Sequence, residues 1–391
     1  MNEKKNHYDN IIIGAGAAGL FLAGELKNHK NLVLEKNAKP GKKIIVSGGG
    51  RCNFTNKHVT FNDFQSQSKS FFKSALKTYT QNDFIKLIEN NNVEYYEKKL
   101  GQLFCKGRST EVLNLLLRRI NLQNTSIRYN SDISENHLKI ESNLFTLKGK
   151  NFFYTSKNLI IASGGPPMPK IGGSNLALRI AKKFQLNTEN FEPALVPLFE
   201  KGTSDYSGIS MPVEIKIKNK TISDDILFTH RGFSGPSILK LTLWADLGDK
   251  YYINWDPINT ISQQYLKTPN ISHTDVLSKT LPKRFTEYFL NKYHIVDKKG
   301  PHKKALINKI IHNINNDEFT YKNNEGFNKA EVAKGGLSTK ELNHKTMETK
   351  SIPGLFFIGE AVDVTGLLGG FNFQWAWSSA YLASIQIKAL D

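Results

Sequence analysis

Asn10-Ile11-Ile12-Ile13-Gly14-Ala15-Gly16-Ala17-Ala18-Gly19-Leu20 decides how the rest of the chain is read. A short apolar run stops at Gly14, and three glycines follow in the spacing G-x-G-x-x-G. Leu20, Phe21, Leu22 and Leu26 then recur at helical spacing. Asn31 to Leu34 is a second short apolar run, and Glu35 ends it. A strand, a glycine turn, a helix and a second strand closed by an acid about 20 residues on make a dinucleotide-binding unit. Each glycine has a mechanical task in that unit. Gly14 permits the tight turn, Gly16 keeps side chains away from an approaching pyrophosphate, and Gly19 lets helix and strand come close. The helix N-terminus offers free N–H groups and about half a positive charge to phosphates. Glu35 is expected to accept hydrogen bonds from ribose hydroxyls.

Two further segments favour a flavin dinucleotide over a nicotinamide one. Ser47 to Asn56 (SGGGRCNFTN) is a glycine-rich loop just after the first unit, with an open backbone and one cation, Arg51. Near the other end, Gly359-Glu360 closes an apolar strand, and Gly366 to Asn372 forms a glycine-rich turn into a last helix, expected from about Asn372 to Leu390. N–H groups at such a helix start suit the flavin N1 and C2 carbonyl region, where charge collects on reduction.

The 391 residues exceed what one hydrophobic core usually organises. Between the glycine-rich ends the texture changes. Residues 81–130 read as helices, and Leu138–Leu147 with Phe152–Ser156 as hairpin strands. Leu159–Ala162 reads as a buried strand, and residues from Pro193 to Trp255 as short alternating strands. Helical spacing returns from Ser262 to Ile314. The reading is one α/β domain interrupted by an insertion.

Lys+Arg 53 against Asp+Glu 35 gives a net charge of +18. Only eight of those cations are Arg, and guanidinium forks are what base-edge and phosphate recognition usually prefer. Nucleic acid is therefore a disfavoured partner that stays open. No apolar stretch approaches the roughly 18 residues of a membrane span. Met1 to Asp9 is polar and leads into a strand, so no signal peptide is expected, and two cysteines are too few for a disulfide framework. A cytoplasmic protein is the expectation, and no histidines are paired as metal ligands would be.

These segments resemble the BaiN/RdsA-type family of bacterial NAD(P)/FAD-dependent flavoproteins, whose members include a bile-acid reductase and an aminoacetone oxidase. The matching stretches are Ile11–Leu20, Gly41–Asn56, Leu227–Leu239, Leu281–Arg284, Lys329–Leu342 and Met347–Ala383. The resemblance implies a Rossmann-like FAD-binding domain made of residues 1–192 and 328–391. It also implies an inserted β-rich domain of residues 193–260 and 313–327, and a small helical domain of residues 261–312. Non-covalent FAD is implied, held by Gly14, Gly16, Ala17, Ala18, Gly19, Glu35, Lys36, Arg51, Cys52, Gly164, Gly359, Glu360, Gly370, Phe371 and Asn372. The chain departs from the family pattern at Ala333 (often Thr), Phe371 (often Tyr) and Cys105 (often Pro).

The chemistry expected is hydride transfer through flavin N5 between NADH, NADPH or oxygen and a small organic substrate. An acid or base within reach of the substrate is still needed. His230 and Arg231, before a Gly232/Gly235-Pro236 turn, are the candidates: His230 for proton transfer, Arg231 for orienting a carboxylate or phosphate. A plain surface turn would look the same in sequence. Cys52 reads as a small residue packed by the flavin. No second G-x-G-x-x-G follows a strand, so a nicotinamide is expected to dock transiently. A tRNA-modifying flavoenzyme and a non-catalytic flavin redox sensor are the alternatives.

Overall fold

A continuous run such as Asn10–Ile13 suits a strand buried on both faces, which is how parallel sheets are built. The computed structural model describes residues 6–268 and 270–390; Met1 to Lys5 of the polar leader lie outside the described residues. The chain divides into two units, Met1–Glu192 with Val332–Asp391, and Pro193–Glu331.

In the first unit the strand Asn6–Ile13 is central to a seven-stranded sheet. Asn31–Leu34 lies parallel on one side, followed by Thr125–Arg128. Phe152–Ile161 lies parallel on the other side. The far edge of that ten-residue strand is shared. Its first half pairs antiparallel with Leu144–Gly149, which continues to Leu138–Glu141, and its last three residues pair parallel with Leu355–Phe357. The parallel strands end level, with Ile13 opposite both Leu34 and Ile161, and Ile161 opposite Phe357.

A row of buried polar groups crosses this sheet. Asn158, Asn10, Asn31 and Thr125 stand opposite one another on four adjacent strands. Asn158 Nδ2 donates to Asn10 Oδ1 (2.9 Å) and Asn10 Nδ2 to Asn31 Oδ1 (2.9 Å). Asn31 Nδ2 donates to Thr125 Oγ1 (3.0 Å) and to the Leu26 carbonyl (2.8 Å). A slip of one residue would leave these amides unpaired in an apolar interior, so the row fixes the register.

The helix Ala17–Glu25 crosses between the first two strands, and the terminal helix Phe371–Ala389 packs against it. Trp377 stacks on Phe84 (centroids 4.4 Å) and lies 5.7 Å from Phe21. Among the described residues no helix is long and apolar enough to cross a membrane.

Two stretches differ from their sequence reading. Residues 81–130 contain helices Gln81–Asn90 and Thr110–Arg119, but also strands Tyr95–Glu97, Gln102–Cys105 and Thr125–Arg128. Strands of three or four residues are too short for alternation to show. In the second unit, Pro236–Trp244 is a helix inside a stretch read as strands. Its Ile238, Leu241 and Thr242 face the interior at helical spacing, while the apolar–polar alternation of the same residues imitates a strand.

Among the described residues, the rest of the second unit is a six-stranded antiparallel sheet with four further helices, Ile261–Lys267, His273–Leu277, Lys283–Lys292 and Lys304–Asn315. The stretch 261–312 shares one apolar core with that sheet, through Val276, Leu277, Phe285 and Phe289 beside Phe228 and Trp255. At its edge the buried Asp317 carboxylate accepts from Trp255 Nε1 (2.9 Å), Lys292 Nζ (2.6 Å) and the Tyr293 hydroxyl (2.5 Å).

Asn31→Ala removes the middle of the amide row and strands Asn10 Nδ2. With roughly 1–3 kcal/mol lost per buried group left unpaired, the first unit is expected to lose about 3 kcal/mol in urea unfolding. A loss below about 1 kcal/mol would show that the row does not hold the sheet.

Candidate functional site

Because the parallel strands end level, the residues just beyond them gather along one edge: Gly14, Glu35, Ala162 to Gly164, and Ile358 to Glu360. The carboxyl edge of an open parallel sheet is where such folds bind ligands. Gly14 has φ +109°, and a Cβ there would stand 2.5 Å from the Ala162 carbonyl oxygen. Gly19 is equally constrained, since its Cβ would overlap the Gly14 carbonyl. These two glycines are demanded by packing.

Gly16 is different. It has ordinary extended geometry (φ −86°) as the residue before the helix, and a Cβ would meet nothing within 4 Å. No side chain caps that helix and no acid lies in its first turn, so the N–H groups of its first turn are left for an outside acceptor. Gly49 and Gly50 likewise face open space. Ser163 Oγ is buried and meets no hydrogen-bond partner among the described residues. Beside the strand ends, Gly16 thus leaves open space and an uncapped helix start, and Ser163 an orphaned hydroxyl.

The two ends of the chain meet at this edge. A Cβ on Gly359 would lie 3.1 Å from Ala18 Cβ, and one on Gly164 would lie 3.6 Å from Glu360 Oε2. Gly359 N donates to Ser379 Oγ (3.0 Å), and Trp375 Nε1 donates back to the Gly359 carbonyl (3.0 Å). The terminal helix is anchored to the glycine loop by Trp377 Nε1 on the Phe54 carbonyl (2.9 Å) and Thr55 Oγ1 on Gln374 Oε1 (2.7 Å). Gly370, before that helix, packs against the Thr55 backbone.

Glu35 is buried, with Oε2 accepting from Ala15 N (2.8 Å) and Oε1 from Asn37 N (2.8 Å) and Nδ2 (2.7 Å). It therefore braces the glycine turn and still has acceptor capacity. Lys36 beside it is exposed. Arg51 is exposed and donates to the Tyr96 hydroxyl (3.2 Å). Cys52 and Cys105 are buried free thiols. Burial pushes Cys52 far above the usual thiol range and Cys105 up to about 12, so neither supplies a thiolate at neutral pH. Asn372 clasps Gly366, accepting from its N–H and donating to its carbonyl (both 2.8 Å). Phe371 is buried edge-on to Phe64 (6.1 Å). His230 and Arg231 belong to the second unit. His230 is exposed; Arg231 pairs with Glu325 (3.0 Å) and lies over Phe199 (4.6 Å).

Sequence reasoning missed Lys43, Ser163 and the backbone of Ala333. Lys43 Nζ pairs with Glu360 Oε2 (2.6 Å), and Ala333 N donates to Glu360 Oε1 (3.0 Å). Thr365 Oγ1 in turn donates to the Ala333 carbonyl (3.0 Å). The lone sign of Lys43 was its place in the Gly41–Asn56 stretch. Among the described residues no group of three or more His, Cys, Asp or Glu could hold a metal.

The model of the HI0933-like protein Rossmann domain matches residues 8–386. A Haemophilus influenzae protein named ribosomal RNA dihydrouridine synthase is 38% identical over 97% of this chain and 98% of its own length. An Escherichia coli protein of the same name is 38% identical over 98% of each chain. Among solved structures, the open conformation of a flavocytochrome c3 fumarate reductase aligns with 100% of this chain and 80% of its own, at 14% identity and a TM-score of 0.50; it shares the fold.

Gly16 and Gly19 are expected to differ in their tolerance of substitution. Gly19→Ala should cost about 1–3 kcal/mol through overpacking. Gly16→Ser, which offers a good cap in open space, should stay within about 0.5 kcal/mol of the parent. Equal losses in urea unfolding would contradict this division.

Proposed function

The chain belongs to the HI0933-like Rossmann-domain family of flavoprotein oxidoreductases, and from that premise we propose that it reduces the C5=C6 bond of a uridine in ribosomal RNA to give dihydrouridine. The observation that carries the proposal is the 38% identity to two proteins of that name, over lengths that include both units. The enzyme uses a flavin; in the proposal this is FAD, bound without a covalent link, with NADH or NADPH as the reductant. Overall, the nicotinamide gives up two electrons and one hydrogen, solvent gives one proton, and the uracil ring gains both hydrogens. Bound FAD would supply the two-electron relay between nicotinamide and uracil.

The chain's own contribution is placement. Gly14, Gly16, Ala17, Ala18 and Gly19 would present the uncapped helix start to the pyrophosphate. Glu35 and Lys36 would serve the adenosine end. Arg51, Cys52 and Gly164 would lie along the middle, and Gly359, Glu360, Gly370, Phe371 and Asn372 at the ring system. Lys43 would hold the Glu360 carboxylate in place. His230, exposed on its turn, is proposed as the group that hands a proton to the base. Arg231 is proposed to hold a nearby phosphate, exchanging its pairing with Glu325 for the ligand.

The charge supports an RNA substrate. A net +18 favours a polyanion, and counterion release by lysine needs no guanidinium fork. The scarcity of Arg therefore argues against base-edge reading more than against RNA.

The test is dihydrouridine in ribosomal RNA, measured by mass spectrometry of nucleosides from a strain lacking this protein. Loss of one modified position, restored by the gene in trans, is expected; an unchanged content overturns the proposal. For the cofactor, Glu35→Ala and Gly16→Ser are each expected to lower flavin retained on purification at least about tenfold, a loss of roughly 1.4 kcal/mol. Full retention by both would remove the assigned pyrophosphate and ribose contacts.

A further inference from the structure

A cleft of about 400 Å³ in the first unit plays no part in the site above. It is lined by Ser68, Ser70, Phe71 and Ser74 from one segment, and by Thr339, Lys340, Leu342, Asn343, His344 and Lys350 from another. Four hydroxyl-bearing residues, two lysines and a histidine line it, and among the described residues no carboxylate does. The two acids nearest in sequence are engaged elsewhere. Glu341 Oε1 accepts from Asn187 Nδ2 (2.5 Å), and Glu348 Oε1 accepts from Gly354 N (2.7 Å).

The cations are not used up by the fold. Lys340 and Lys350 are exposed, and neither has a carboxylate partner among the described residues. Lys350 Nζ gives one hydrogen to the Lys340 carbonyl (2.7 Å), which aims its ammonium across the segment and leaves two donors. Ser74 Oγ and His344 Nδ1 are 2.8 Å apart, which fixes the imidazole. A separate observation points to a ligand. Thr339 lines the cleft, is 2% exposed, and its buried hydroxyl has no hydrogen-bond partner among the described residues. A buried hydroxyl left unpaired costs about 1–3 kcal/mol, and native structures seldom tolerate it without a reason.

We propose that this cleft binds a phosphate group carried on a sugar, and that in the working enzyme the group is a backbone phosphodiester of the RNA substrate. Two lysines and several hydroxyl side chains suit phosphate oxygens, which accept without donating. Phe71 and Leu342 add an apolar wall for the attached sugar. The volume lies at the low end of the roughly 300–1,000 Å³ range of ligand sites, enough for one nucleotide unit. Choosing RNA as the source rests on the reading in the preceding subsection; the phosphate chemistry does not.

The experiment measures affinity of the flavin-loaded protein for a labelled oligouridylate across a salt series, for the parent and for Lys340→Gln/Lys350→Gln. Each phosphate contact on a single strand contributes about 0.7 to the slope of log K against log salt. The double variant is expected to bind about fivefold or more weakly at low salt, with a slope smaller by about 0.7–1.4. A second arm follows protection by inorganic phosphate against thermal unfolding. Protection of the parent and not of the variant, with unchanged RNA binding, assigns the cleft to a free or small-molecule phosphate and overturns the RNA source. If neither ligand distinguishes the two proteins, the cleft proposal fails. Lys340→Gln alone keeps the Lys350 bond to the Lys340 carbonyl, and replaces the double variant should that melt early. Dihydrouridine content is scored separately, so a protein that modifies RNA normally but fails both arms refutes the cleft and leaves the function standing.

Discussion

The hydrogen-bonded row Asn158–Asn10–Asn31–Thr125 carries more of this structure than its four residues suggest. Apolar side chains on parallel strands pack almost as well one position out of place; buried amides do not. By pinning four strands to one register, the row makes Ile13, Leu34 and Ile161 finish at the same height. Leu355–Phe357, paired to the last three residues of Phe152–Ile161, is carried to that height as well. The site follows from this levelling. Gly14, Glu35, Ser163 and Gly359 are neighbours because the strands before them are in step, although the outermost two are more than three hundred residues apart in sequence.

What was legible in the sequence was what is local. The G-x-G-x-x-G turn is written in consecutive residues, because a sharp strand-to-helix turn has steric needs that only glycine meets. The discontinuity of the first unit was legible from texture, since the glycine-rich apolar character returns near residue 330. The register row was not legible. Asn10 and Asn31 look like ordinary polar residues at strand starts until the sheet sets them side by side. Lys43 was hidden for a similar reason: its partner Glu360 lies on the opposite arm of the chain. Pro236–Trp244 was misread because Ile238-Leu239-Lys240-Leu241-Thr242-Leu243 satisfies two periodicities at once. The proline at its first position, preset for a helix start, was the better guide.

The glycines of the site fall into two groups, and the division bears on function. At Gly14 and Gly19 a methyl group would run into backbone, so the fold alone explains them. At Gly16, Gly49 and Gly50 a methyl group would enter empty space. Gly16 does not even need glycine's backbone freedom, since its φ is one that any residue adopts. A helix start would be better served there by Ser or Asp, which would cap it. Leaving the helix uncapped is a cost to the folded chain that packing does not return. The cost makes sense where an anionic group completes the cap in the loaded enzyme. Thr339 in the lysine-lined cleft poses the same kind of question, as a buried hydroxyl without a partner among the described residues. In both places the chain alone is less well satisfied than an ordinary sequence would make it. The shortfall at Gly16 is one that phosphate oxygens at a helix start would fill, and the shortfall at Thr339 lies in a cleft where phosphate oxygens would meet two lysines that have no carboxylate partner among the described residues.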